Sequence, residues 1–311
     1  MFAVRFDRFG PPDVLTLGEL PEPHAGPGRV RIKVRASGVS PVDLAIRAGS
    51  SPAAKSLTLP HIPGVDASGV VDEVGADVTG VAIGDEVFGT VEIARLGGAA
   101  AEFAVLDFWA PKPESMPSTE AGAAGTSIET ATRVLDLLAI RDGSTVVIDG
   151  AAGGVGSVVT QLAIARGARV VGTASAENQE FLAELGALPT SYGGGLPERV
   201  HALVDGPIDA ALDVAGRGLL SELIELTGSP ESVVTIADFG GAALGVRISR
   251  GELGGEASGK QGLAAAASLF EQGRFRIPVQ AAFPFDHAAE AHALASSGPR
   301  RGKVVLTGPA V

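Results

Sequence analysis

The segment that decides the fold runs Thr145-Val146-Val147-Ile148-Asp149 and then Gly150-Ala151-Ala152-Gly153-Gly154-Val155-Gly156. The first five residues are a near-continuous apolar run, the pattern of a strand buried on both faces. The glycine-rich turn follows directly, and residues 154–167 repeat apolar positions at helical spacing. A second strand, ARVVGTA (168–174), comes next, then a helix through Leu185 that ends at Gly186. Strand, glycine-rich turn, helix and strand within about 30 residues make a βαβ unit suited to a dinucleotide. Small residues let the backbone approach a pyrophosphate, and the helix N-terminus offers free N–H groups and a positive dipole end. Gly150, Ala152, Gly153, Gly154, Val155 and Gly156 are the candidate cradle.

The end of the second strand bears on which dinucleotide. Sites for NAD usually place an acid there, about 20 residues after the glycines, to hold the ribose diol. Here Thr173 leads to Ala174 and Ser175. Without a carboxylate a 2′-phosphate meets no repulsion, and Ser175 and Asn178 are hydrogen-bond donors for it, which points to NADPH. Glu177 is counter-evidence, although it falls past the strand where acids commonly cap a helix. Asp213, with Val214, Ala215 and Gly216, ends a later strand, the place where open α/β sheets bind ligands.

Outward from this unit, strands and helices alternate to about residue 248, with IDAALDV (208–214) and SVVTIA (232–237) as further strands. The first third is β-rich. Residues 29–36 alternate strictly, residues 64–75 and 99–107 read as strands, and one short helix falls near 42–48. From Ser118 an Ala-rich stretch to Leu138 reads as a helix. A coda brings helices near 260–273 and 286–297, a strand near 278–283 and a final strand KVVL (303–306). The fold class is α/β: a β-rich domain followed by a doubly wound parallel sheet.

Composition narrows the chemistry. The 311 residues include no cysteine, which excludes disulfides, thiolate nucleophiles and Cys-ligated zinc. A net charge of −12 disfavours nucleic acid as partner. No run reaches the about 18 apolar residues of a membrane span. The opening MFAVRFDRFGPPD lacks a signal-peptide apolar core, so the expectation is a cytoplasmic protein with neither membrane nor nucleic acid as partner.

The order of motifs resembles the medium-chain dehydrogenase/reductase superfamily, in its zinc-independent, quinone-oxidoreductase-like branch. The resemblance covers nearly the whole chain: SPVDLAIRAG (40–49), LPHIPGVDASGVVDEVG (59–75), GDEVFG (84–89), AAAEFAV (99–105), DGAAGGVGSVVTQLA (149–163), ALDVAG (211–216) and RGKVVL (301–306). It implies a GroES-like β-rich catalytic domain over 1–118, an inserted Rossmann domain binding NADPH over 119–255, and a return to the catalytic domain over 256–311. It also implies an active site in the cleft between domains and a homodimer, with the strand near 245–249 at the interface. Thr130 matches a family residue near the nicotinamide, and Tyr192 one that contacts the adenosine phosphate.

Zinc-dependent relatives carry Cys where this chain has Ser40, and His-Glu where it has Val65-Asp66; serine and valine do not ligate zinc. The expectation is that no metal is bound. The branch also departs from its own pattern here. Its Asn-Pro-Val-Asp, followed by Tyr, reads Ser40-Pro41-Val42-Asp43 and then Leu44-Ala45. A frequent Lys is Gln179, and an Arg that commonly follows the Tyr is Gly193.

Ser40 and Asp43 are the candidate catalytic residues. Ser40 is either a hydrogen-bond donor to a substrate carbonyl or a satisfied turn hydroxyl. Asp43 either orients substrate or nicotinamide, or pairs with Arg47 four residues on. Thr130 either contacts cofactor or back-bonds within its helix. The expected reaction is hydride transfer from NADPH to a quinone or an α,β-unsaturated carbonyl, because the expected cleft has no obvious Tyr, Cys or zinc acid to protonate the basic alkoxide of a simple ketone. Zinc-free alcohol or ketone reduction, and a regulatory or structural NADPH-binding role, are the alternatives.

Overall fold

The computed structural model describes residues 1–92, 95, 97–297 and 301–308. The chain falls into two compact units, Met1–Thr126 with Leu263–Val311, and Ser127–Gly262. The second is a single insertion into the first.

In the first unit β1 (Phe2–Arg5) and β2 (Thr16–Glu19) form an antiparallel pair. β3 (Val30–Val39) shows the expected alternation, with Val30, Ile32 and Val34 buried and the basic residues between them outward. α1 (Pro41–Ala48) begins on a proline and stops at Gly49, whose φ of 72° suits a left-handed cap. β4 (Asp66–Val74), β5 (Glu86–Val91) and β6 (Phe103–Pro111) continue an antiparallel sheet, and β6 returns to pair with β3. Where β4 crosses β3, a Cβ on Gly69 would stand 2.1 Å from the Lys33 carbonyl oxygen, so only glycine fits.

Two expectations need correction. The strand read over 99–107 lies later, since Ala101 makes a single bridge to Ala3 and β6 begins at Phe103. Ala99, Ala100 and Ala101 are instead fully buried packing residues. The one helix read from Ser118 to Leu138 is two, α2 (Ser118–Ala121) and α3 (Gly125–Leu137). Gly38 N donates to Gly122 O at 2.7 Å, and a Cβ on Gly122 would stand 2.6 Å from Ala36 O. This contact pins the chain on β3 and draws it out of helical geometry.

The second unit is a parallel sheet between helices. It holds β7 (Thr145–Asp149), α4 (Gly154–Ala165), β8 (Arg169–Thr173), α5 (Gln179–Glu184), β9 (Leu188–Thr190), α6 (Leu196–His201), β10 (Ala210–Asp213), α7 (Leu220–Thr227), β11 (Val233–Thr235) and β12 (Arg247–Ile248). The strand order is β12-β11-β10-β7-β8-β9, so it reverses between β7 and β10. Such a switch point opens a crevice at the strands' carboxyl ends. Val147, Val171, Ala211 and Val233 of four neighbouring strands pack with Leu196, Val200, Leu220 and Leu223 from the helices. Each fully buried aliphatic side chain stabilises by about 1.5–3 kcal/mol.

The chain then returns through α8 (Gly262–Glu271), β13 (Val279–Pro284), α9 (Ala288–Ser296) and β14 (Lys303–Thr307). β14 pairs antiparallel with β3 and parallel with β13, completing a six-stranded sheet. Among the described residues no helix is long and apolar enough to cross a membrane.

Candidate functional site

The glycine-rich turn is built for close approach. Gly150 leaves β7 with φ 83°, and a Cβ there would meet Ala215 Cβ at 2.9 Å. A Cβ on Gly156 would stand 2.2 Å from Gly150 O, which presses α4 onto the turn. Gly153 differs: its φ is −73°, and a Cβ would have one neighbour, Gly150 O at 3.4 Å. The first intrahelical bond runs from Ser157 N to Gly153 O at 2.9 Å. The amides of Gly154, Val155 and Gly156 therefore precede the helical ladder, and those of the half-buried Gly154 and Val155 can be offered to an anion. Ala151 and Ala152 are buried, and Gly153, Gly154 and Val155 are half-buried. An open cradle with free amides fits the pyrophosphate of a dinucleotide.

The strand ends around the cradle are tied by side chains. Thr173 Oγ1 donates to the Asp149 carboxylate and accepts from Gly150 N at 3.0 Å. Burial pushes the Asp149 carboxyl up and nearby Asp213 adds to it, against the Thr173 hydrogen bond and the Arg217 charge. Ala174 is buried, and its amide donates to Thr190 O at 3.0 Å. Asn178 is also buried and donates to Ser175 Oγ at 3.2 Å, so these two candidates bind each other. Gln179 Nε2 reaches Ala174 O (2.8 Å) and Thr190 O (3.0 Å), latching β8 to β9. Tyr192 lies exposed beyond β9, with the Arg217 guanidinium 4.0 Å over its ring.

Asp213 is buried and its carboxylate is used internally. Oδ1 accepts from Ala215 N (3.0 Å) and Gly216 N (2.8 Å), and Oδ2 accepts from Thr235 Oγ1 (2.7 Å). It shapes the loop of Val214, Ala215 and Gly216 that packs on Gly150. Thr130 Oγ1 donates to Glu129 and accepts from Arg133. Arg133 joins them to Ser249 and Glu256 in a buried network, so the Thr130 hydroxyl serves that network.

The first unit gathers the two candidate catalytic residues. Ser40 caps α1 and Asp43 lies in its first turn. Asp43 is fully buried but does not pair with Arg47. Its Oδ2 accepts from Ser40 N (2.7 Å) and its Oδ1 from Gly64 N (3.0 Å), whereas Arg47 donates to Gly10 O (3.1 Å). The sequence spacing is right for an ion pair, but the carboxylate turns inward to satisfy amides that have no other acceptor. Burial raises Asp43 to about 7, against these two hydrogen bonds.

Lys303, at the head of β14, was not a candidate from sequence. It is buried, and its Nζ donates to Ser40 Oγ at 2.6 Å and lies 3.4 Å from Asp66 Oδ2. Ser40 Oγ donates to that same oxygen at 3.3 Å. Asp66 also accepts from Thr126 N (2.6 Å) and Thr126 Oγ1 (2.7 Å). The signal was a lysine opening an otherwise apolar strand, since lysine is seldom fully buried without a partner. Lys303 fills a lone pair of Ser40 Oγ and polarises the hydroxyl, whose proton is given to Asp66 Oδ2.

Comparison with known proteins identifies the family. Residues 26–113 match the alcohol dehydrogenase GroES-like domain, and residues 196–306 match a zinc-binding dehydrogenase domain. A 2-methylene-furan-3-one reductase of Solanum lycopersicum is 32% identical over 98% of this chain and 79% of its own length. An NADPH-dependent alkenal/one oxidoreductase of Arabidopsis thaliana is 31% identical over 97% of this chain and 78% of its own. The solved quinone oxidoreductase of Coxiella burnetii superimposes with a TM-score of 0.84, at 30% identity over 99% of both chains. The chain thus belongs to the medium-chain dehydrogenase/reductase superfamily, in its quinone-oxidoreductase-like branch, a group of oxidoreductases that use a nicotinamide cofactor.

Proposed function

We propose that this protein is an NADPH-dependent, zinc-independent reductase that delivers hydride to a quinone or an α,β-unsaturated carbonyl. The observation that carries the reading is the Lys303 ammonium 2.6 Å from Ser40 Oγ. Zinc-dependent relatives place a metal ligand at Ser40; here a buried cation occupies the neighbourhood, and the site does not fit zinc. Among the described residues no group of three or more His, Asp or Glu stands where it would hold a metal. The names of the two plant relatives support the acceptor class, and that of the Arabidopsis protein supports NADPH.

The bound cofactor supplies a hydride from its dihydronicotinamide C4. The chain's share is binding, orientation and stabilisation of charge. Gly154, Val155 and Gly156 would offer backbone amides to the pyrophosphate, while Gly150, Ala152, Gly153 and the Val214–Gly216 loop (214–216) would line its approach. Thr173, Ala174, Ser175, Asn178 and Tyr192 would border the adenosine ribose, and Thr130, its hydroxyl held by Glu129 and Arg133, would lie toward the nicotinamide. Ser40 would turn its hydroxyl from Asp66 Oδ2 to the substrate oxygen as negative charge builds there. Lys303 holds that hydroxyl polarised, and Asp43 acts through Ser40 N as a positioning residue. An enolate or quinol anion takes its proton from water, so no stronger acid is required.

The reading extends to a cytoplasmic homodimer. Support for the dimer is the edge position of β12, whose backbone, among the described residues, pairs only with β11. Light scattering tests it, and a monomer at micromolar concentration would remove this part.

The main test is NADPH oxidation by metal-stripped protein against a panel of quinones and enones, with NADH and simple ketones in parallel. Turnover without metal is expected for the first two acceptor classes. Activity that needs added zinc, or that appears only with ketones and alcohols, would overturn the reading.

A further inference from the structure

The sequence leaves recognition of a 2′-phosphate without a cation. Residues 174–179, after β8, contain no lysine or arginine, and neither do residues 191–195 after β9. The donors that are present there are partly engaged, Asn178 with Ser175 and Gln179 with backbone carbonyls. Arg199 is likewise spent on the carbonyls of Ser191, Gly193 and Gly194.

Arg217 reaches this rim from elsewhere. It follows the Asp213–Gly216 turn (213–216) after β10, and β7 and β8 lie between β10 and β9 in the sheet. Neighbouring strands are about 4.8 Å apart, so three intervals separate the two loops by roughly 14 Å. Yet the Arg217 guanidinium carbon stands 4.0 Å from the centroid of the Tyr192 ring. The Arg217 and Tyr192 side chains between them therefore span the carboxyl ends of β7 and β8. The Arg217 charge also bears on Asp149, at the last position of β7. No carboxylate forms an ion pair with Arg217 among the described residues. One face of the guanidinium rests on Tyr192, and its N–H edge is left for an incoming anion.

We propose that Arg217 is the residue that selects NADPH, its guanidinium taking the adenosine 2′-phosphate while Tyr192 holds it in place. The inference rests on the NADPH reading above. Stacking on an aromatic ring fixes the planar fork before the phosphate arrives, so less side-chain freedom is lost on binding. A guanidinium pairs with phosphate through two parallel charge-assisted hydrogen bonds, which a lysine cannot copy.

The test is equilibrium binding by titration calorimetry on intact wild type, Arg217→Met and Arg217→Lys, with unfolding temperature as a check on folding. The probes are NADPH, NADH, adenosine 2′,5′-bisphosphate and AMP. Arg217→Met is expected to weaken NADPH and the bisphosphate by about 10- to 100-fold and to leave NADH and AMP within about twofold. Arg217→Lys falls between, and added salt weakens NADPH binding more in wild type than in Arg217→Met. A wild type that prefers NADPH, and a methionine variant that keeps the preference, overturns the role of Arg217 alone. A wild type that binds NADH as tightly as NADPH overturns the cofactor reading and this inference with it.

Discussion

Lys303 Nζ lies 2.6 Å from Ser40 Oγ although 263 positions separate the two residues in the chain. The contact exists because β14, from the far end of the sequence, pairs with β3, where Val304 faces Val39. The strand pairing that closes the first unit thus also delivers an ammonium to the residue that caps α1.

Removing that ammonium leaves Asp66 buried with less charge compensation. Thr126 still gives it two hydrogen bonds, but no cation remains in contact. Loss of one partner of a buried ion pair costs about 3–5 kcal/mol. Lys303→Met is expected to be destabilised by that order in urea unfolding. A change below about 1 kcal/mol would mean that Asp66 is satisfied without it.

Ser40 bears on both structure and catalysis, since its hydroxyl also accepts from Lys303 and donates to Asp66. Its amide is held by Asp43 whatever its side chain, so Ser40→Ala keeps the α1 cap bond of 2.7 Å. If its hydroxyl meets the substrate oxygen, kcat with a quinone or enone falls about 100-fold with little change in KM. A drop confined to KM would reassign Ser40 to ground-state binding.

Two buried groups give opposing pH dependences of stability. Asp43 is raised from 3.8 to about 7, so between those values the native state binds more protons than the unfolded chain and stability falls as pH rises. His292 is fully buried in α9 and lowered from 6.5 to about 3 by burial and by the nearby Arg47 charge. In that window the unfolded chain binds more protons, so stability rises with pH. Over roughly pH 4–6.5 the two slopes, each at most about 1.4 kcal/mol per pH unit, oppose each other. Asp43→Asn is expected to uncover the rising slope and His292→Phe the falling one, read from urea midpoints across pH. Identical profiles in wild type and both variants would show that neither group is shifted.

Much of this was legible because backbone chemistry leaves a local trace. Glycines at 150 and 156 mark a turn in which any Cβ would collide, and the apolar runs around them mark buried parallel strands. The features that were not legible depend on distant chain segments. Lys303 reaches Ser40 through β-pairing, Arg217 reaches Tyr192 across two strands, and Gly122 breaks a helix by pressing on Ala36. Asp43 and Arg47 had ideal helical spacing, but two unsatisfied amides competed for the carboxylate and won. Local spacing proposes partners, whereas burial decides among them.

The glycines of the turn separate folding from binding. Alanine at Gly156 would place a Cβ 2.2 Å from Gly150 O, a backbone atom that cannot move without opening the turn. Gly156→Ala is expected to lower the unfolding temperature by several degrees, the response to a loss of about 1–3 kcal/mol from overpacking. Alanine at Gly153 meets only Gly150 O at 3.4 Å, with φ already at −73°. Gly153→Ala is therefore expected to keep the wild-type unfolding temperature. Its new methyl group enters the space that a pyrophosphate would take beside the amides of Gly154 and Val155. Affinity for NADPH and NADH is expected to fall together, by about 10-fold or more, while adenosine fragments that lack the pyrophosphate bind as before. A Gly153→Ala variant with wild-type NADPH affinity would show that the cofactor does not lie against this turn.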